Sequence, residues 1–237
     1  MAMSLIGRMP SNLVSESFFN GLNLISNIIR EHLGKNVDIK HQENINKIEE
    51  KIEKIKKDIE EAQRSFDEIM RNFNSHYRAF INRIEGELNN AHIQSKLPQY
   101  LSKLGNIVTY ITSHGIHSIN EVKKKEKEIK KLKEEIEEEI NSKGKNLQRL
   151  LWIADQYNNI FQNLIGKELR SKVLNKMIDI KKELDNLEKE IKNIDAKNND
   201  KLKKEMEKKI NELKKELEKS NKSLEEFIKY LSHILKV

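Results

Sequence analysis

Apolar residues along this chain recur at alternating steps of three and four. One run reads Ile45, Ile48, Ile52, Ile55, Ile59, Ala62, Phe66, Ile69, Phe73. Another reads Met206, Ile210, Leu213, Leu217, then Ser220, then Leu224, Phe227, Leu231, Ile234. That beat lays a narrow apolar seam along one side of a helix, and such a seam is buried against other helices. The first run predicts a long helix from about Val37 to about Ala91. Its seam slips by one residue near His76 and Tyr77, as in a stutter, and resumes at Phe80, Ile84, Leu88 and Ala91. His76 falls at a seam position and is expected as a buried, hydrogen-bonded histidine. A second long helix is predicted from near Ser118, where Ser118 and Glu121 have capping-box spacing. Its seam runs through Val122, Ile129, Leu132, Ile136, Ile140 and Leu147, with a kink expected at Asn141-Ser142-Lys143-Gly144, and continues to Val173, Met177, Ile180, Leu184, Leu187, Ile191 and Ile194. A polar turn at Asp195–Asp200 and a last helix from about Lys201 to about Leu235 follow. Ahead of all these, Val14 to Leu33 predicts a short amphipathic helix, capped by Ser11 or Ser15 and stopped by Gly34.

These lengths predict an all-α fold: an elongated antiparallel coiled-coil hairpin stalk joined to a four-helix bundle. With turns near Val108 and Lys197, Glu60 faces Gln156 and Leu88 faces Glu128. Residues 11–60 and 150–237 then form the bundle, and residues 61–149 form the stalk. Pro98 is expected to close the first long helix. Between Lys96 and Glu121 the only charge is Lys103. This segment predicts a short helix from Gln99 to about Ser113 and then a loop, an apolar tip at 97–119. It gathers Leu97, Tyr100, Leu101, Leu104, Ile107, Val108, Tyr110, Ile111, Ile116 and Ile119. A cluster this apolar either packs on itself as a cap or meets a partner.

Composition supports long helices. Of 237 residues, 35% are charged and 5% aromatic, with 8 Gly and 2 Pro, so breakers are few and core bulk is thin. The chain has no Cys, which removes disulfides and thiolate metal sites and suits a reducing compartment. Met1 to Arg8 lacks the order of a secretory signal. The longest uncharged run, Leu104 to Asn120, is too short and too polar to span a bilayer. A cytoplasmic location is therefore expected. The net charge of +7 is dispersed: Glu121 to Lys143 holds eight Lys and eight Glu. Opposite charges sit four apart at Glu50 and Lys54, Glu53 and Lys57, and Lys130 and Glu134. These features describe a solvated face rather than a nucleic-acid footprint.

No residue is assigned a catalytic, cofactor-binding or metal-binding role. The glycines at Gly34-Lys35, Gly144-Lys145 and Gly166-Lys167 lack the earlier glycine of a phosphate loop. His114 and His117 share an i, i+3 spacing, but no third ligand stands near them in sequence. Trp152, Tyr157 and Phe161 are expected to fill a core opposite Phe66, Phe73 and the Phe18-Phe19 helix. The expected function is therefore a non-enzymatic structural or interaction protein, a helical rod presenting its tip to a protein partner or to further copies of itself. The alternative is a membrane-interacting protein. An apolar element between two long antiparallel helices resembles, in plan, the helical pore-forming toxins. That resemblance implies membrane insertion of the tip, and the first helix, with Phe18, Phe19 and Ile25, is a second candidate for a membrane surface. A third reading, a nucleic-acid-associated coiled coil, rests on the charge balance and Lys123-Lys124-Lys125.

Overall fold

The computed structural model describes residues 13–33, 39–194 and 200–235. The expectations placed on Ser11, on Gly34, on a helix start near Val37 and on most of the Asp195–Asp200 turn lie outside the described residues. Among those described, no strand is present and the fold is all-α. In chain order the helices are α1 (Glu16–Ile28), α2 (Ile39–Asn90), α3 (Leu97–His114), α4 (Ile119–Lys124), α5 (Glu126–Gly144), α6 (Gln148–Phe161), α7 (Asn175–Lys192) and α8 (Asp200–Leu235). A 3-10 turn, Gly115–Ser118, joins α3 to α4. Wider π-type turns extend α1 over Ile29–Leu33 and carry α6 into α7 over Gln162–Glu168 and Arg170–Leu174. Close contacts divide the chain into two units. Leu13–Arg64 and Val173–Lys222 belong to one, Ser65–Lys172 and Ser223–Val237 to the other.

The first of these units is an antiparallel four-helix bundle. Arg30 Nε meets Glu49 Oε1 at 2.9 Å and the Leu13 N–H donates to Gln63 Oε1 at 2.7 Å, so α1 runs against α2. Lys54 pairs with Glu183 at 3.0 Å and Lys51 with Glu190 at 3.2 Å, which sets α7 against α2. Lys214 pairs with Asp185 at 2.7 Å, which sets α8 against α7. Gly21 closes the ring: a Cβ there would stand 2.8 Å from Leu213 Cδ2, so its missing side chain lets α1 approach α8. The seams meet inside. Ile45, Ile48, Ile52, Ile55 and Ile59 are buried together with Phe18, Leu22 and Ile25, with Ile180, Leu184, Leu187 and Ile191, and with Met206, Ile210, Leu213 and Leu217. Each such side chain contributes about 1.5–3 kcal/mol relative to an exposed one.

In the second unit the segment expected at the end of a two-helix stalk is a third helix folded back along α2. The Tyr77 hydroxyl donates to the Leu101 carbonyl at 3.1 Å, and Thr112 Oγ1 donates to Asn74 Oδ1 at 3.1 Å. On its other flank Ser95 Oγ donates to Glu139 Oε2 at 2.7 Å, next to α5. α6 returns to α2, with Arg149 Nε 2.8 Å from Glu87. Residue 87 thus faces 149 rather than the region of 128, because α3 takes up the intervening length. The end of α8 completes the unit through Lys123–Glu226 at 3.3 Å and Gln162 Nε2 donating to the Ser232 carbonyl at 3.4 Å.

Several local expectations change. α2 is stopped by His92, which takes a left-handed φ of 52° while the Ile93 N–H reaches back to the Leu88 carbonyl at 2.9 Å. That is a helix-ending motif usually built on Gly or Asn. Ala91 lies outside the helix and is exposed. Pro98 opens α3 instead of closing α2, at a position where its missing N–H costs no helix bond. Ser118 makes no cap: its hydroxyl donates to the Gly115 carbonyl at 2.6 Å. The second long helix is interrupted at Lys125 and again over residues 145–147, just past the predicted kink. Ser15 does stand before α1 in extended conformation, but its hydroxyl binds Glu216 and the Ser17 hydroxyl rather than a backbone N–H of the helix.

Candidate protein-interaction surface

α3 shows how the uncharged segment is built. Its buried residues Leu97, Leu101, Leu104, Val108 and Ile111 step by four, three, four and three, the same beat as the long seams. They fill the space between α2 and α5. Gly105 permits the closest approach, since a Cβ there would sit 2.9 Å from Tyr77 Cε1. Burial raises the Tyr77 hydroxyl far above the usual tyrosine range, so it stays a donor to Leu101.

Of the ten side chains expected to form an exposed apolar tip, eight are interior. Leu97, Leu101, Leu104, Ile107, Val108, Ile111, Ile116 and Ile119 are all buried within the unit. The cluster therefore does not pack on itself at a tip: its apolar side chains are spent against α2 and α5. Tyr100 is half-buried and Tyr110 is 38% exposed. Tyr110 stacks on His114 with ring centres 4.0 Å apart, and Lys125 Nζ lies 5.5 Å over the same ring. His114 is oriented by its own Nδ1, 2.9 Å from the Tyr110 carbonyl. Tyr100 borders two shallow clefts flanking α3. One, of about 820 Å3, runs beside Asn89, Gln94, Glu139 and Lys143. The other, of about 410 Å3, runs beside Lys103, Glu128 and Lys131.

Of the side chains that α3, its following turn and the start of α4 turn outward, the sequence singled out Tyr110, His114 and His117 but not the polar face they belong to. Gln99, Ser102, Lys103, Asn106, Thr109, Tyr110, Ser113, His114, His117 and Asn120 are exposed. Only Lys103 among them bears a formal charge, in a chain that is 35% charged. The signal was there: the same run that is apolar on one helical face is polar but uncharged on the other.

Other candidate chemistry is also relocated. His76 is exposed, and Tyr77 takes the seam position in its place. Tyr157 and Phe161 are buried against Phe73, Tyr77 and Phe80, with Phe73 and Phe161 ring centres 5.2 Å apart. Trp152 is not with them and stands exposed. Phe66 pairs instead with Phe227. Phe18 and Ile25 are buried in the four-helix bundle, and Phe19 is half-buried. Among the described residues no three His, Asp or Glu side chains gather as metal ligands do, and no helix is long and apolar enough to cross a membrane. No protein-family model matches the chain, and no curated protein and no solved structure is significantly similar to it.

Proposed function

We propose that the protein is a non-enzymatic interaction protein, a coiled-coil scaffold that binds a protein partner, or a second copy of itself, through the outer face of α3. One observation carries this reading: the stretch from Gln99 to Asn120 exposes Tyr, Ser, Thr, Asn, Gln and His with a single charge. Surfaces that bind proteins are depleted in charge at their centre and enriched in Tyr, and Ser and Asn adapt their hydrogen bonds to a partner. A solvated helix face in this chain is instead laced with Lys and Glu, as α7 and α8 are. The cysteine-free composition suits the proposed cytoplasmic setting.

Excising residues 97–119 is a poor test, because it would uncover the apolar faces of α2 and α5. Outward substitutions are cleaner. Asn106→Glu combined with Thr109→Glu leaves the core untouched, and helicity by circular dichroism should not change. A photo-crosslinking residue at Ser113 should yield a discrete adduct that the double substitution weakens about tenfold or more, as expected for the centre of an interface. The same crosslinker at Lys182 on α7 serves as control. Adducts no richer at 113 than at 182, or unaffected by the two glutamates, would remove the proposal.

A further inference from the structure

Trp152 is the most exposed large apolar residue among those described, at 52%, and Leu151 beside it is 40% exposed. The helical period explains why. α6 spends its inner face on Leu150, Ile153, Ala154, Tyr157 and Phe161. Leu151 and Trp152 fall one and two steps past Leu150 and are carried away from the core. They are nonetheless held in place. Leu151 lies over Gly144 at the end of α5, where a Cβ would come within 2.6 Å of its Cγ. The Arg83 guanidinium of α2 sits 5.8 Å from the Trp152 ring centre.

The ground around this pair is basic. From Asn141 to Ala154 the sequence holds Lys143, Lys145 and Arg149 and no carboxylate. The nearby acid Glu87 is taken up by Arg149 at 2.8 Å, and one exposed acid, Asp155, stands a helical turn on from the pair. An exposed indole beside Arg83, and a leucine over a glycine flanked by Lys143 and Lys145, suit one occupant best. Trp has an apolar body and a polar N–H and favours the bilayer–water boundary. Lysines are depleted from protein interface cores but are drawn to anionic headgroups. A lone apolar anchor or a lone basic patch binds weakly, whereas the two together make a stable peripheral contact.

We propose that the α5–α6 turn is a peripheral membrane contact. Leu151 and Trp152 seat in the interfacial zone of an anionic bilayer, and Lys143 and Lys145 face its headgroups. The contact is one of surface, since no described helix is long and apolar enough to cross. It uses no residue of α3 or α1; Lys143 also borders the larger α3 cleft, so Lys145→Glu alone keeps this contact distinguishable from binding by α3.

The chain has one Trp, so its fluorescence reports on this turn and nothing else. With phosphatidylcholine vesicles containing phosphatidylserine, emission should shift to the blue, iodide quenching should fall, and the protein should float with the vesicles. Lys143→Glu with Lys145→Glu should weaken binding by about tenfold or more, since each headgroup-facing lysine is worth roughly a factor of five. Trp152→Ala, read by flotation and checked for fold by circular dichroism, should weaken it as well. No shift and no flotation with anionic vesicles would overturn the proposal. So would equal binding to pure phosphatidylcholine, or binding unchanged in either variant. A blue shift that grows with protein concentration in the absence of vesicles, or that an oligonucleotide produces in their place, would assign the turn to self-association or nucleic acid and overturn it too.

Discussion

Tyr77, Leu101 and Gly105 show how closely two helices can be fitted by three residues. The hydroxyl of Tyr77 donates to the Leu101 carbonyl, and the ring occupies the space that a Cβ on Gly105 would need. Gly105→Ala must displace a rigid ring and is expected to cost about 1–3 kcal/mol. Tyr77→Phe loses one hydrogen bond without making a clash and should cost about 1 kcal/mol. Placing Gly105→Ala on a Tyr77→Leu background removes the ring from the conflict, so its cost there should fall well below its cost alone. Urea denaturation of the four proteins measures the difference, and additive costs would show that the close approach carries no strain. The choice of Tyr77 over His76 was nearly legible in the sequence. Ile69, Phe73 and Tyr77 make two steps of four in succession, and the second step passes over His76. The exposure of Trp152 was not legible. Its aromatic bulk suggested core, and only the inner-face set of α6 decides which of two neighbouring turns it occupies.

At the scale of the element, α7 sets two glutamates in opposite electrostatic positions. Glu188 accepts hydrogen bonds from Lys214 at 2.7 Å and Lys192 at 3.0 Å, and these hold its carboxyl below the ordinary range. Glu183 is shifted upward, first by burial and also by Asp58 beside it, with Lys54 offsetting part of the effect. The two signs lead to opposite pH dependence. Glu188 contributes stability above the ordinary carboxylate range, and that contribution is lost as pH falls through its depressed pKa. Glu183 favours the folded state below that range, and the gain disappears as pH rises through its raised pKa, leaving an ionised group that opposes folding at neutral pH. Glu188→Gln should therefore lower Tm at neutral pH, with the deficit closing in acid. Glu183→Gln should raise Tm at neutral pH, with the gain shrinking in acid. Thermal melts across that range test both, and parallel curves for the two variants would contradict the assignment. Elements were the most readable level of this protein. α2, α7 and α8 follow from their seams alone. α3 was missed as a packed helix although its 97, 101, 104, 108, 111 spacing is equally regular, because its uncharged outer face concealed the contrast between inside and outside.

At the scale of the whole molecule, the all-α class was legible and the pairing of helices only partly so. A seam says that a helix face must be covered but not by which helix. A turn placed at Val108 set Leu88 against Glu128, whereas α3 occupies that flank and Glu87 meets Arg149. The same distinction between seam and surface governs stability. Many ion pairs have both partners in water, as at Lys182–Asp179 and Lys204–Asp200, and such pairs contribute about 0–1 kcal/mol each. Salt at ~1 M shortens the Debye length to about 3 Å. It weakens these attractions and also the mutual repulsion behind the net charge of +7, so the two changes oppose one another. Ile52, by contrast, is completely buried, and Ile52→Ala should cost about 2–5 kcal/mol. In a chain of this length each kcal/mol lowers Tm by roughly 2–4 °C. Ile52→Ala should therefore lower the transition it affects by several degrees at least, and raising sodium chloride to molar levels should move that transition by less. A salt effect larger than that of the truncation would place the stability of this fold in its charges, and the reading of the seam as its foundation would fail.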